Sequence, residues 1–137
     1  MLFELDGVGY RYADNTSALN GVSFCIPPAS GVAILGANGS GKSTLLRILS
    51  GLHFASEGSV RFRGEVLTEA ASKHPDFRQR FRQSVGFVFQ NADAQLFNPT
   101  VYDEVAFGLL QLGKPDAGWQ HANERVPGAG GGQWAAR

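Results

Sequence analysis

A chain of 137 residues, 43% hydrophobic and 18% charged, is long enough for one domain with its own core and too apolar to be read as disordered. Twelve basic residues balance twelve acidic ones, which counts against a protein that binds nucleic acid by neutralising phosphates. The single cysteine, Cys25, rules out an intrachain disulfide and fits a reducing compartment.

In chain order, Leu2 to Val8 alternates loosely and predicts a strand. Tyr10 to Asn20 is polar and reads as a loop. Gly21 to Ile26 predicts a second strand, with Cys25 as a small buried apolar residue and a reactive thiol as the sharper alternative. Pro27 and Pro28 end it, because proline cannot donate to a ladder. Val32 to Leu35 is a short apolar run suited to a buried strand. The stretch Gly36-Ala37-Asn38-Gly39-Ser40-Gly41-Lys42-Ser43-Thr44 follows it. It fits G-x-x-x-x-G-K-[ST], the phosphate-binding loop, at every fixed position. Ser43 to Leu52 then places Leu45, Leu46, Ile48, Leu49 and Leu52 at helical spacing.

Each fixed residue of that loop has a physical task. The glycines Gly36, Gly39 and Gly41 let the backbone turn tightly and aim its N–H groups at phosphate oxygens, with Asn38 and Ser40 in the same cradle. Lys42 sets a positive charge against the β- and γ-phosphates, and Ser43 offers a hydroxyl to Mg²⁺. Thr44 directly follows the motif at the start of the helix, where unpaired N–H groups and the helix dipole favour anions. A nucleoside triphosphate with Mg²⁺ is the ligand this pattern expects.

Further along, Gly58 to Gly64 alternates polar and apolar residues and predicts an edge or half-exposed strand. Pro75 to Gln83 predicts a short helix with Phe77 and Phe81 one turn apart. Val85 to Phe89 predicts a buried strand ending at Gln90. An amide at a strand's carboxyl end can have Mg²⁺ or an attacking water as a neighbour; a glutamine pointing at solvent is the other reading. After a loop from Asn91 to Pro99, Thr100 caps a helix with Asp103 three residues on. Val101, Val105, Ala106, Leu109 and Leu112 form its apolar face, and Gly113 and Pro115 end it. From Lys114 the texture changes, and Val126 is the sole Val, Ile or Leu from Asp116 onward. A segment so poor in aliphatics is expected to be disordered. No stretch approaches the roughly 20 apolar residues that span a bilayer, and the first residues lack the basic region of a secretion signal. Any membrane role is therefore expected to be peripheral.

The phosphate loop, the strand-end Gln90 and the helix Thr100-Val101-Tyr102-Asp103-Glu104-Val105-Ala106-Phe107-Gly108 together resemble the ATP-binding subunit of ABC transporters. The stretch from Gln90-Asn91 through Gln95-Leu96-Phe97 to Val105-Ala106-Phe107-Gly108 is similar to the energy-coupling-factor and cobalt-type import ATPases. The resemblance implies an α/β P-loop domain with an antiparallel β portion at its N-terminus, truncated before its catalytic half. It implies a partial nucleotide-binding domain over residues 1–113; the change of composition at Lys114 predicts a disordered or frame-shifted tail over 114–137. The resemblance makes Gln90 the glutamine that touches Mg²⁺ and couples the site to the membrane partner, catalytic together with Lys42. Tyr12 becomes the aromatic that stacks on adenine; Tyr10 is the rival, and a tyrosine covering the core is the plainer reading. ATP and Mg²⁺ are the implied cofactors. A transmembrane transporter subunit received around residues 91–107 and a second ATP-binding subunit are the implied partners, with nucleic acid not among them. The implied place is the cytoplasmic face of the membrane, and the implied cargo is cobalt, nickel or a vitamin.

The resemblance breaks after Gln90. No four-residue apolar run ends there in Asp-Glu, so the family's Mg²⁺-holding aspartate and water-polarising glutamate have no counterpart. Asp103 and Glu104 lie on the following helix instead. Gly130-Gly131-Gly132-Gln133 lacks the Leu-Ser start of the L-S-G-G-Q signature, and His121 has no preceding strand. His53 and His74 read as loop residues. A non-catalytic nucleotide-binding module and a non-functional remnant are therefore the alternatives to a transport ATPase.

Overall fold

A computed structural model describes residues 1–91, 98 and 100–111, and the chain divides into one unit, Met1–Gly86, and a second from Phe87 onward. The expected end of the last helix at Gly113 and Pro115, and the tail over 114–137, lie outside the described residues.

The first unit is built on a four-stranded antiparallel sheet in the order β2-β1-β3-β4. Its strands are β1 (Phe3–Arg11), β2 (Ser17–Ile26), β3 (Glu57–Phe62) and β4 (Glu65–Val66). Both early strands run further than their composition suggests. Tyr10 to Asn20 is not a loop, because β1 continues to Arg11 and β2 begins at Ser17, with Tyr10 opposite Leu19. The turn between them is closed locally. Tyr12 N–H donates to the Thr16 carbonyl at 2.9 Å, and Thr16 N–H donates to Asp14 Oδ1 at 2.9 Å. Asn15 takes φ 68°, a left-handed conformation that asparagine tolerates.

Alternation decides which side chains β2 buries. Val22, Phe24 and Ile26 pack against the core, so Cys25 falls on the opposite face and is exposed. The buried-cysteine expectation is overturned by that period of two. Gly58 to Gly64 corresponds to β3, which is internal rather than an edge strand because it pairs with both β1 and β4. Its alternation holds: Val60 and Phe62 are buried and Arg61 is exposed. At Gly58 (φ 73°) an added Cβ would collide with the Asp6 and Gly7 carbonyl oxygens, so the β1–β3 pairing there requires a residue without one.

Helices cover the sheet: α1 (Lys42–Leu49), α2 (Glu69–Lys73) and α3 (Pro75–Ser84). The buried face of α1 is Thr44, Leu45, Ile48 and Leu49, which join Phe3, Leu5, Val8, Leu19, Val60 and Phe62 in one core. Leu46 and Leu52, expected on that face, are exposed. Helix α2 is started by Thr68, whose Oγ1 accepts from the Ala71 N–H at 3.1 Å. Helix α3 anchors through Phe77 and Phe81, both buried, with the Phe81 ring 5.0 Å from Phe62 and 5.8 Å from Phe77.

The apolar runs Val32–Leu35 and Val85–Phe89 are not strands in this structure. Leu35 is 90% exposed and Val88 87% exposed. A fully buried strand needs ladder partners on its edges and cover on both faces, and among the described residues neither run has them.

In the second unit, α4 (Val101–Gln111) is capped as its sequence predicts. Thr100 Oγ1 accepts from the Asp103 N–H at 3.1 Å and donates to Asp103 Oδ2 at 2.6 Å. Ala106 is buried, as expected, while the Val101, Val105, Leu109 and Leu112 side chains lie outside the described set.

Candidate nucleotide-binding site

The loop between Gly36 and Lys42 is a run of turns that ends directly in α1. Ser40 N–H donates to the Ala37 carbonyl at 3.2 Å, and Leu45 N–H donates to the Gly41 carbonyl at 2.9 Å, which opens the helix. Gly41 is the residue at that junction, with φ 87°. An added Cβ there would strike the Ala18 carbonyl oxygen and lie 2.8 Å from Leu19 Cδ2, so β2 permits only glycine at this place. The helix start carries no side-chain cap and no acidic residue in its first turn. No side-chain cap therefore satisfies its N-terminal N–H groups, and such an uncapped helix start, with its dipole, favours an anion.

Lys42 folds back over the loop it follows. Its Nζ donates to the Gly36 carbonyl at 2.8 Å, to the Ala37 carbonyl at 2.6 Å and, at 3.4 Å, to Ser40 Oγ. A full positive charge is therefore held over the glycine turn, at the N-terminal end of α1, by partners that are themselves neutral. Ser43 is exposed in the first turn of α1. A free hydroxyl beside a phosphate cradle suits Mg²⁺, which keeps several waters and takes few protein oxygens. Among the described residues no three His, Cys, Asp or Glu side chains cluster as a metal cage.

Tyr12 reaches the same place from the β1–β2 turn. Its phenol hydroxyl lies 2.8 Å from Thr44 Oγ1, a hydrogen bond between residues 32 apart in sequence. Tyr10 stacks on His53 with ring centroids 5.0 Å apart. Tyr12 stands perpendicular to both, 5.1 Å from Tyr10 and 6.1 Å from His53. Tyr10 packs against the core, whereas Tyr12 is tied to the phosphate loop. His53 had been legible only as a loop residue; nothing in its local sequence announces a ring stack.

Gln90 lies in the second unit, exposed, just beyond the Phe87–Phe89 ring pair, and it does not end a strand. Of the region from Asn91 to Phe107, residues 92–97 and 99 lie outside the described set. Glu104 holds the start of α4 by accepting from the Asn98 N–H at 3.0 Å and its Nδ2 at 2.8 Å. Asp103 and Glu104 are thus engaged in local capping.

Glycine turn, lysine and uncapped helix together define a P-loop nucleotide-binding protein. The family model described as "ABC transporter" matches residues 19–133, and the chain belongs to that family. It is 51% identical over 113 residues to a nickel import ATP-binding protein, NikO, of Rhodobacter capsulatus, covering 82% of this chain and 44% of that one. It is 47% identical over 109 residues to the energy-coupling factor transporter ATP-binding protein EcfA of Carboxydothermus hydrogenoformans, covering 80% and 38%. Among solved structures it is similar to CbiO1 of Clostridium perfringens, described as part of the ABC transporter complex CbiONQ. That match has a TM-score of 0.73 and 32% identity, over 90% of this chain and 47% of that one. The chain spans less than half the length of each of these relatives. The fold is that of the N-terminal part of an ABC ATPase, with its antiparallel β portion and phosphate loop.

Proposed function

We propose that this chain forms the nucleotide-binding part of an ATP-hydrolysing subunit that powers an importer, with nickel, cobalt or a vitamin as its cargo. The observation that carries the reading is the Lys42 ammonium held across the Gly36–Ser40 turn at an uncapped helix N-terminus. In this reading the loop amides and Lys42 take the β- and γ-phosphates, Ser43 contributes to a Mg²⁺ site, and Tyr12 stacks on adenine. Mg²⁺, when bound, neutralises phosphate charge. The protein's own part is electrostatic: fixed N–H dipoles and one lysine placed where negative charge gathers. The nickel import relative supports the importer role and a metal cargo, and the energy-coupling-factor and CbiONQ relatives support a role in a transporter. In the same reading the chain partners with a transmembrane subunit, received around residues 91–107 on the cytoplasmic face of the membrane, and with a second ATP-binding subunit. Among the described residues no helix is long and apolar enough to cross a membrane.

A second reading, a non-catalytic nucleotide-binding module, is favoured by one feature. No apolar run after Gln90 ends in Asp-Glu, and the nearest acids, Asp103 and Glu104, serve the start of α4. Calorimetry with MgATP and a phosphate-release assay test both readings. Wild-type chain is expected to bind ATP, and Lys42→Ala to bind it roughly 10- to 100-fold more weakly, the loss expected for a charged hydrogen-bonding group. Neither is expected to release phosphate above background. Equal affinity of the two proteins would remove Lys42 from the site. Turnover by the wild type that Lys42→Ala abolishes would overturn the non-catalytic reading.

A further inference from the structure

We propose that Thr44 is the positioning residue for Tyr12. Its buried hydroxyl fixes the ring on which a nucleotide base stacks, so that the base platform and the phosphate loop are built as one piece. The inference rests on the reading of Tyr12 as the adenine-facing ring.

Thr44 is 5% exposed, the one buried polar side chain among the described residues. A buried hydroxyl must find a partner, because leaving it unpaired forfeits its hydration without return. The partner is Tyr12 Oη at 2.8 Å. Tyr12 itself is only partly buried and sits in a hairpin turn, where a ring held by chain connectivity alone would sample several rotamers. Two further contacts restrict it: the stacked Tyr10 and His53 rings, to which it stands at 88° and 90°. The bond at the tip and the perpendicular rings at its side narrow the orientations open to Tyr12. Because Thr44 lies in the first turn of α1 with Lys42 and Ser43, the ring's orientation is referenced to the groups that take the phosphates. Stacking on a preset ring avoids the entropy of ordering it on binding.

The affinity of the full chain for ATP divided by its affinity for inorganic triphosphate, which has no base, reads the proposal directly. Tyr12→Phe keeps the ring and removes the hydroxyl from the exposed side; Thr44→Val removes it from the buried side; Thr44→Ser restores it. Both of the first two are expected to lower the ratio about 5- to 10-fold, the double variant no further than either alone, and Thr44→Ser to hold the wild-type ratio. If Tyr12→Ala lowers the ratio but Tyr12→Phe and Thr44→Val do not, the platform exists without Thr44 and the inference is wrong. If Tyr12→Ala leaves the ratio unchanged, the adenine-stacking reading fails first. A fall in both affinities together in Thr44→Val, with the ratio intact, would assign Thr44 to the phosphates alone. Should Thr44→Val not fold, Tyr12→Phe decides alone.

Discussion

Gly41 carries two demands at a single residue. It needs a left-handed φ of 87°, and it needs the absence of a Cβ because the Ala18 carbonyl and Leu19 stand against it. Alanine there would meet both a backbone penalty and a clash with the edge of β2. Gly41→Ala is expected to destabilise the first unit by about 2–4 kcal/mol and to distort the turn that presents Lys42. Urea unfolding gives the first effect and calorimetry with inorganic triphosphate the second. A variant as stable as wild type would mean that β2 yields easily. The Lys42 ammonium, by contrast, has three acceptors that are all loop atoms.

At the scale of elements, the β1–β2 hairpin is closed by Asp14, and α2 by an ion pair between Lys73 and Glu69 at 2.8 Å. The Thr16 backbone N–H holds the Asp14 carboxyl below its ordinary value, and the Lys73 side-chain hydrogen bond and charge do the same for Glu69. Both carboxylates lie in solvent, so their contribution is small. Its sign is fixed by the lowered folded pKa. The stabilisation is complete above the ordinary carboxylate pKa and is lost as the pH falls through the lowered folded value. Asp14→Asn is therefore expected to lose that small stabilisation near neutrality, to match wild type at acid pH where the Asp14 carboxyl is itself protonated, and so to flatten the acid limb. NMR titration of the Thr16 amide measures it, and an unchanged acid limb would sink the assignment. Helix α3 depends on packing instead. Phe81→Ala opens a void between Phe62 and Phe77 and is expected to cost about 3–5 kcal/mol in urea unfolding. A loss below about 1 kcal/mol would mean that the site collapses to fill itself.

For the whole molecule, the notable feature is apolar surface that its own described residues leave uncovered. In the first unit Val32 is 52% and Leu35 90% exposed; in the second Val88 is 87% and Phe89 42% exposed. Each belongs to a run with the composition of a buried strand. Exposed apolar groups in series favour association. The chain is expected to self-associate with rising concentration, or to be stabilised by another polypeptide, and Leu35→Lys to reduce self-association. Light scattering across a concentration series checks this. A monomer at every concentration, with one cooperative thermal transition, would show that these runs need no further cover.

What residues 36–44 make of themselves was readable because the motif is local. Glycine freedom, a following lysine and a helix start act over a few consecutive positions, and the same holds for the Thr100 cap and for Phe77 and Phe81 on one helix face. Tyr12 was legible only as a candidate, since its tie to Thr44 bridges 32 residues and no local pattern encodes such a distance. The hairpin from Tyr10 to Asn20 was missed because polar turn residues such as Asp14 and Asn15 masked the strands on either side. The runs at Val32 and Val85 read as strands from composition, yet a strand exists only where a neighbour supplies its ladder. The sequence by itself determined the phosphate loop and the character of each segment. Only the tertiary structure decided which segments pair, which ring meets Thr44 and which apolar faces find cover, because those depend on contacts between residues far apart in the chain.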